Sequence, residues 1–250
     1  MLNWYKADLH IHTVLSPCAE LTMGPIDIVK AAVRQKIDII AITDHNSAEN
    51  IQAVMDAAKG TSLFVIPGIE VYSREDAHLI TLFPDMDSVL AFQDYLYQHL
   101  MPGEYDASML GPQYICDADE NIIAESKRML SLPVDQSVYA ISDKVTENGG
   151  IIYPAHIDRQ SHSLLRCLGS IPTDLPFNAV EISQSWETAV RNFRFLKNTP
   201  LSVITASDAH DISLLGSKTT WFYLEKPCFT EIVKALGRHD GRKTSLVAEA

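Results

Sequence analysis

The run at 37–43, IDIIAIT, is almost unbroken in its apolar character, has the length of one strand, and stops at Asp44-His45. Such a segment suits a strand buried on both faces, as in parallel sheets covered by helices on each side. The surrounding sequence keeps that rhythm. Short apolar segments at 7–11, 63–67, 69–72, 78–83, 151–154, 179–182, 201–206 and 220–224 read as strands. Stretches at 25–35, 48–58, 138–148, 187–197 and 230–236 read as helices, the first with Pro25 in its opening turn, where a missing N–H costs little. Repeated strand-then-helix order predicts a parallel α/β architecture, and 250 residues suffice for a single barrel domain. Residues 87–133 interrupt the rhythm, because a helix at 88–100 gives way to Pro102, Gly103, Gly111 and Pro112 among acidic patches. This stretch is expected to be an insertion over one end of the barrel, either surface decoration or a lid.

Parallel barrels carry their active sites at the C-terminal ends of strands. In this chain those ends collect histidines and acids. Asp8-Leu9-His10-Ile11-His12 places two imidazoles two residues apart; in an extended segment they share a face, so both can reach one ion. Asp44-His45 closes the second strand, Glu70 follows Pro67-Gly68, His78 opens its own strand and His156 follows 151–155. Asp208-Ala209-His210 repeats the alternating spacing of the first motif. Singly, each of these reads as an ordinary hydrogen-bonded or surface group. Together they put six of nine histidines at strand ends beside acids, and burying such groups without a metal or a partner is expensive. The other three, His99, His162 and His239, are expected at the surface.

In order, DLHIHT, ITDHN, GIEV, AHLITL, PAHIDR and SDAH resemble the motif series of the PHP (polymerase and histidinol phosphatase) family, from Ala7 to about Gly216. EISQS at 181–185 and HIDR at 156–159 resemble substrate-contacting segments of its stand-alone, nucleoside 3′,5′-bisphosphate phosphatase-like branch. The resemblance implies one catalytic domain over 1–250, an α/β fold built as a distorted seven-stranded (βα) barrel, with the insertion near 87–133. It also implies two or three divalent metal ions. His10, His12, Glu70 and Asp208 would hold the first, and Glu70 would bridge to a second held by His78 and His156. A third would take His45 and His210, with its last donor in the loop TVLSPCAELTMGP. Glu20 is the expected donor there, and Cys18 the alternative, suited to a softer ion. Manganese, zinc and iron all suit mixed His and carboxylate ligands. Asp8 and Asp44 read as groups that orient the ligand imidazoles.

The chemistry so implied is phosphate ester hydrolysis by water activated at a metal pair, with Glu70, Asp208 and His210 as the catalytic residues. No GxSxG elbow offers a serine nucleophile. Arg159 is expected to bind phosphate through its paired donors, with Ser183 and Ser185 as further contacts. Capping the next helix suits Ser185 equally well. Arg191, Arg194 and Lys218 are weaker candidates, the first two fitting a solvated helix face. A net charge of −12 with 20 Lys and Arg disfavours a broad grip on extended nucleic acid. A small phosphorylated substrate, a nucleotide among the candidates, is therefore the expected partner. A histidinol-phosphate phosphatase, an exonuclease on nucleic-acid ends and a non-catalytic metal-stabilised module are the alternatives. Four cysteines without a CxxC pair, no apolar run of about 18 residues and no export signal lead us to expect a cytoplasmic chain with no membrane partner. Oligomeric state is left open.

Overall fold

The computed structural model describes residues 1–103 and 105–247. The chain begins with β1 (Asn3–Ile11), α1 (Pro25–Arg34), β2 (Ile39–Ile42), α2 (Ile51–Ala57), β3 (Phe64–Tyr72), β4 (His78–Leu82) and α3 (Met86–Tyr97). A short helix α4 (Ala107–Leu110) and a hairpin of β5 (Tyr114–Cys116) and β6 (Ile122–Glu125) follow, then α5 (Val138–Glu147), β7 (Ile151–Pro154) and α6 (Leu164–Leu168). The last elements are β8 (Ala179–Glu181), α7 (Trp186–Asn192), β9 (Ser202–Ile204), β10 (Thr220–Leu224), α8 (Phe229–Leu236) and β11 (Lys243–Ser245).

Seven strands make a ring. β1, β2 and β3 run parallel, whereas β4 lies antiparallel to both β3 and β7. Beyond β7, the Ile157 N–H donates to the Glu181 carbonyl at 2.9 Å; β8 and β9 pair in parallel, and the chain after β9 returns to β1 where the His12 N–H meets the Ala209 carbonyl at 3.0 Å. β10 and β11 extend the sheet from the first half of β1, antiparallel throughout. The expectation of a uniformly parallel order therefore needs correction at β4 and at the last two strands. Only residues 73–77 separate β3 from β4, far too few for a parallel crossover, which needs about a dozen or more.

The ring's interior is read from side-chain phase. Leu9, Ile39, Ala41, Ile66, Ile80, Leu82, Tyr153, Ala155, Ala179 and Ile204 are buried together in one cluster, supplied by all seven strands. The alternate residues Ile40, Ile42, Val65, Ile69, Leu79 and Ile152 pack with the apolar sides of α1, α2, α3 and α5 in a second cluster. β3 runs unbroken where the sequence predicts two strands split at Pro67-Gly68. Its first half, Phe64–Pro67, pairs with β2 and its second, Gly68–Tyr72, pairs with β4, so Pro67 sits where one partner gives way to the next. Gly68 is required there, because a Cβ would lie 2.8 Å from both the Leu82 Cδ2 and the Thr81 carbonyl oxygen. The helix predicted at 187–197 breaks at Phe193 into α7 and a 3₁₀ turn at Arg194–Asn198.

Within 87–133, polar anchors tie the chain to the strand-end loops. Asn46 Nδ2 donates to the carbonyls of Leu130 and Leu132, at 2.8 and 2.9 Å. The Cys116 N–H donates to Asn50 Oδ1 at 2.9 Å, and the Tyr114 N–H to the Val14 carbonyl at 3.0 Å. Among the described residues, no helix is long and apolar enough to cross a membrane.

Candidate metal centre

The strands deliver their polar residues to one rim by simple alternation. Ile66, Gly68 and Glu70 follow one another at spacing two along β3, as do Ile80 and His78 on β4 and Ala179 and Glu181 on β8, so the face that is apolar below becomes acidic or basic above. β4 explains an anomaly of the sequence. His78 opens its strand rather than closing it, and because β4 runs antiparallel, that opening lies level with the C-terminal ends of its neighbours. On β1, pairing with β2 slips between Asp8 and Ile11, and with this irregularity Leu9, in the interior cluster, and His10, beside Glu70, both face into the ring although adjacent in sequence.

Glu70 sits at the centre, 1% exposed. Its Oε1 lies 2.8 Å from His78 Nδ1 and 3.3 Å from His10 Nε2 and His156 Nε2; its Oε2 lies 3.0 Å from His45 Nδ1 and 3.3 Å from His12 Nε2. Asp208 Oδ1 adds contacts of 3.2 and 3.3 Å to the Nε2 atoms of His10 and His12, and of 3.5 Å to His210 Nδ1. Three groups bring ligand atoms within 4.8 Å of one another: His10, His12 and Asp208; His45, Glu70 and His78; and His12, His45 and His210.

A surrounding layer fixes which ring nitrogen faces inward. His10 Nδ1 donates to the Glu181 carboxylate at 3.1 and 3.2 Å, leaving Nε2 bare toward Glu70. The Ser16 hydroxyl donates to Asp44 Oδ1 at 2.7 Å and so accepts from His12 Nδ1 at 2.9 Å, which leaves the His12 Nε2 bare as well. Asp44 thus orients an imidazole through a serine. Asp8 does something else: it accepts from the N–H groups of Ser207 and Gly216 at 3.0 and 2.9 Å, holding the ends of the loop that carries Asp208 and His210. Burial is the main influence on Asp8 and pushes its pKa up to about 6. Asn46, His156 and Asp208, just past the ends of β2, β7 and β9, all have left-handed backbone, with φ of 50°, 26° and 51°. Non-glycine residues enter that region at a cost of order 1–3 kcal/mol, sustained here by the packing around them.

Electrostatics test whether this donor set suits cations. Burial favours the neutral form of every group here, but the acids and imidazoles oppose it. It tends to lower His12 and His45, yet Asp208 and Glu70 raise the former and Glu70 chiefly the latter, to about 9 in each case. Burial acts to raise Glu70, and the imidazoles of His78, His10 and His45 hold it well below the carboxylate range. His78 and His210 fall to about 4 and about 3, pushed down by burial first and then, for His210, by the His12 ring. The buried acids therefore demand positive charge among the rings. Yet the bare nitrogens of His10 and His12 face each other at 3.2 Å, and His45 Nδ1, His156 Nδ1 and Asp208 Oδ1 are buried without a hydrogen bond. Lone pairs aimed at common points, with tautomers fixed from outside, suit divalent cations better than protons.

Every expected metal ligand but one reaches the cluster. Glu20 is exposed on the loop after β1 and belongs to none of the three groups. Arg159 reaches the rim, where Nη2 pairs with Asp208 Oδ2 at 2.6 Å while 42% of its side chain stays exposed. The Ser183 hydroxyl and N–H are both taken by the buried Asp158, at 2.9 and 2.7 Å, and the Ser183 carbonyl accepts from Lys218 Nζ. Ser185 caps α7, accepting from the Thr188 N–H at 3.3 Å. Arg191 and Arg194 are exposed. Sequence reasoning missed Ser16, read Glu181 only as part of a substrate-contacting segment, and placed His162 at the surface. Glu181 carries the same signal as the ligands, an acid closing an apolar strand. His162 is not a plain surface residue: its ring stacks on His78, with centroids 4.7 Å apart and planes 12° apart.

A curled seven-stranded α/β ring with a buried histidine and carboxylate cluster at one rim defines a barrel built to hold metals. The family model for the PHP domain matches residues 8–146, and the chain belongs to that family of metal-dependent phosphoesterases. It is 23% identical to the uncharacterised protein YqxK of Bacillus subtilis over 269 residues, covering 95% of this chain and 63% of that one. It is 32% identical over 96 residues to the 5′-3′ exoribonuclease Rnm of Salmonella typhimurium, covering 36% of this chain and 31% of that one. Among solved structures, the lesion-specific endonuclease PfuEndoQ from Pyrococcus furiosus matches with a TM-score of 0.76 and 20% identity, over 97% of this chain and 58% of that one. A complex of endonuclease Q with a 27-mer duplex bearing an abasic lesion at the active site matches at 0.71 and 19% identity, over 96% and 58%. The chain thus spans about 60% of the length of the first relatives it matches.

These relatives overturn the composition argument for a small-molecule partner and against extended nucleic acid. That argument summed charge over the whole chain. At 0.1 M salt, exposed charges are screened beyond about 10 Å, so acids on distant faces say little about a rim whose residues can hold cations.

Proposed function

We propose that this chain is a metal-dependent phosphoesterase that cleaves phosphodiester bonds in nucleic acid. The observation that carries the hydrolytic reading is the convergence of five imidazoles on the two oxygens of Glu70. The nucleic-acid substrate draws on the endonuclease Q and Rnm relatives. In this reading His10, His12, Asp208 and Glu70 hold one ion, Glu70 with His78 and His156 a second, and His45 and His210 a third. Manganese, zinc or iron would fill them. Bound there, divalent ions supply the lowered pKa of a coordinated water and the neutralisation of charge on phosphoryl oxygens.

The chain's own residues do the rest. Glu70 and Asp208 keep their negative charge among the rings and set the spacing of the donors. Glu181 and the Asp44–Ser16 pair hold the His10 and His12 rings with Nε2 inward. His210 donates its Nδ1 proton to the Asp208 carbonyl at 2.9 Å and stays neutral, so it acts as a donor of lone-pair electrons rather than as an acid. Arg159, at the rim beside Asp208, offers its remaining donors to a backbone phosphate.

The test is cleavage of end-labelled single-stranded and duplex DNA and RNA, including abasic duplex, by manganese-loaded protein. Strand scission that chelation removes and Glu70→Gln lacks is expected. Turnover confined to phosphomonoesters, with every polymer left intact, would overturn the substrate assignment.

A further inference from the structure

His10 and His12 are each held from behind, by Glu181 and by the Asp44–Ser16 pair, but the His78 ring has no such partner. Among the described residues its one hydrogen bond runs forward, from Nδ1 to Glu70 at 2.8 Å. Other rings hold it. The His162 imidazole lies parallel to it, with centroids 4.7 Å and planes 12° apart. Tyr72, directly across from His78 in the β3–β4 ladder, meets it edge-on at 4.7 Å and 72°. One carboxylate pins both of these rings: His162 Nδ1 donates to Asp76 Oδ1 at 3.2 Å, and the Tyr72 hydroxyl donates to the same oxygen. The main chain closes the box, since the His78 N–H donates to the His162 carbonyl at 2.9 Å and Cys167 Sγ to the Asp76 carbonyl at 3.1 Å.

Stability alone does not account for this box. Asp76 and His162 both have left-handed backbone, with φ of 65° and 55°, a region that costs free energy for residues other than glycine. Their side chains are 61% and 39% exposed, and an ion pair so open to solvent stabilises a fold very little. We propose that Asp76 and His162 are positioning residues for His78, holding its ring turned toward Glu70 and so setting how tightly the ion assigned to Glu70, His78 and His156 is bound. The inference rests on the metal-centre reading above. An imidazole free to turn about its side-chain bonds loses that freedom when it ligates an ion; a ring already clamped between two others has lost it beforehand, and binding is tighter for it. Neither residue belongs to a ligand group, so their effect should fall on one ion and not on the others.

Calorimetric titration of the metal-free whole chain with manganese(II) tests this without any enzyme assay. Two substitutions tolerate left-handed backbone and so keep the loops: His162→Asn, which removes the ring, and Asp76→Gly, which removes the carboxylate. Each should weaken one bound equivalent by about 10–100-fold, the usual effect of losing a group that orients a ligand, and leave the remaining equivalents as in the wild type. In the double variant the two losses should overlap rather than multiply, because both act through the same ring. His162→Phe, which can stack without the hydrogen bond, should recover most of the affinity lost in His162→Asn. Unchanged affinity in His162→Asn, a loss spread over every equivalent, losses that multiply in the double variant, or a His162→Phe protein no better than His162→Asn overturns the positioning role. A wild type that takes up no manganese sinks the metal centre on which it rests.

Discussion

At the scale of single residues, the centre depends on groups that touch no substrate. Glu181 holds His10 through Nδ1 and also accepts from the His156 N–H at 3.2 Å, so one carboxylate fixes two of the residues whose rings surround Glu70. Partners of this kind commonly cost 10–100-fold in metal affinity when removed. Glu181→Gln should weaken metal binding in a calorimetric titration by roughly that factor, with the melting of metal-free protein little changed. Equal affinity in variant and wild type would show that His10 needs no such support. The residues of the cluster were legible because DLHIHT, Glu70 and SDAH each bear a local pattern. Glu181 and Ser16 were not. What they touch is decided by register with His10 on a strand 171 residues away, and by a loop turn that no periodicity announces.

Elements show the same divide between local and distant information. β2 and β7 were readable because a strand buried on both faces is apolar throughout, and α1 because Pro25 marks its start. The direction of β4 was not read, although the short link at 73–77 already forbade a crossover. The hairpin of β5 and β6 escaped notice because its strands are three and four residues long and expose Ile122 and Ile123, leaving no alternation to detect. Pro67-Gly68 misled in the other direction, since a pair that usually punctuates here spans the handover between two partners. Gly68→Ala tests that account. Forcing a methyl against Leu82 and the Thr81 carbonyl should cost about 1–3 kcal/mol, the usual range for overpacking. It would be seen as a lower urea midpoint at unchanged slope. A variant as stable as the parent would mean that the wall of the ring gives way easily at this point.

For the whole molecule, the cluster sets stability as well as chemistry. Ions that bind only the folded chain stabilise it by mass action, about 2.7 kcal/mol when free metal is a hundred times its dissociation constant. At roughly 2–4 °C per kcal/mol for a chain of this size, chelation should lower the melting temperature by about 5–10 °C. A calorimetric scan that does not move on chelation of metal-replete protein would show that the buried acids find their counter-charge elsewhere. The backward run of β4 has a consequence for how the molecule comes together. His78 and Glu70, eight positions apart, meet at 2.8 Å within a single reversal of the chain, whereas His10 and Asp208 must find each other across 198. By loop-closure entropy the second meeting costs about 3 kcal/mol more than the first. That corner of the cluster can therefore form while the rest of the polypeptide is still loose, and the two ends of the sequence are the last to arrive.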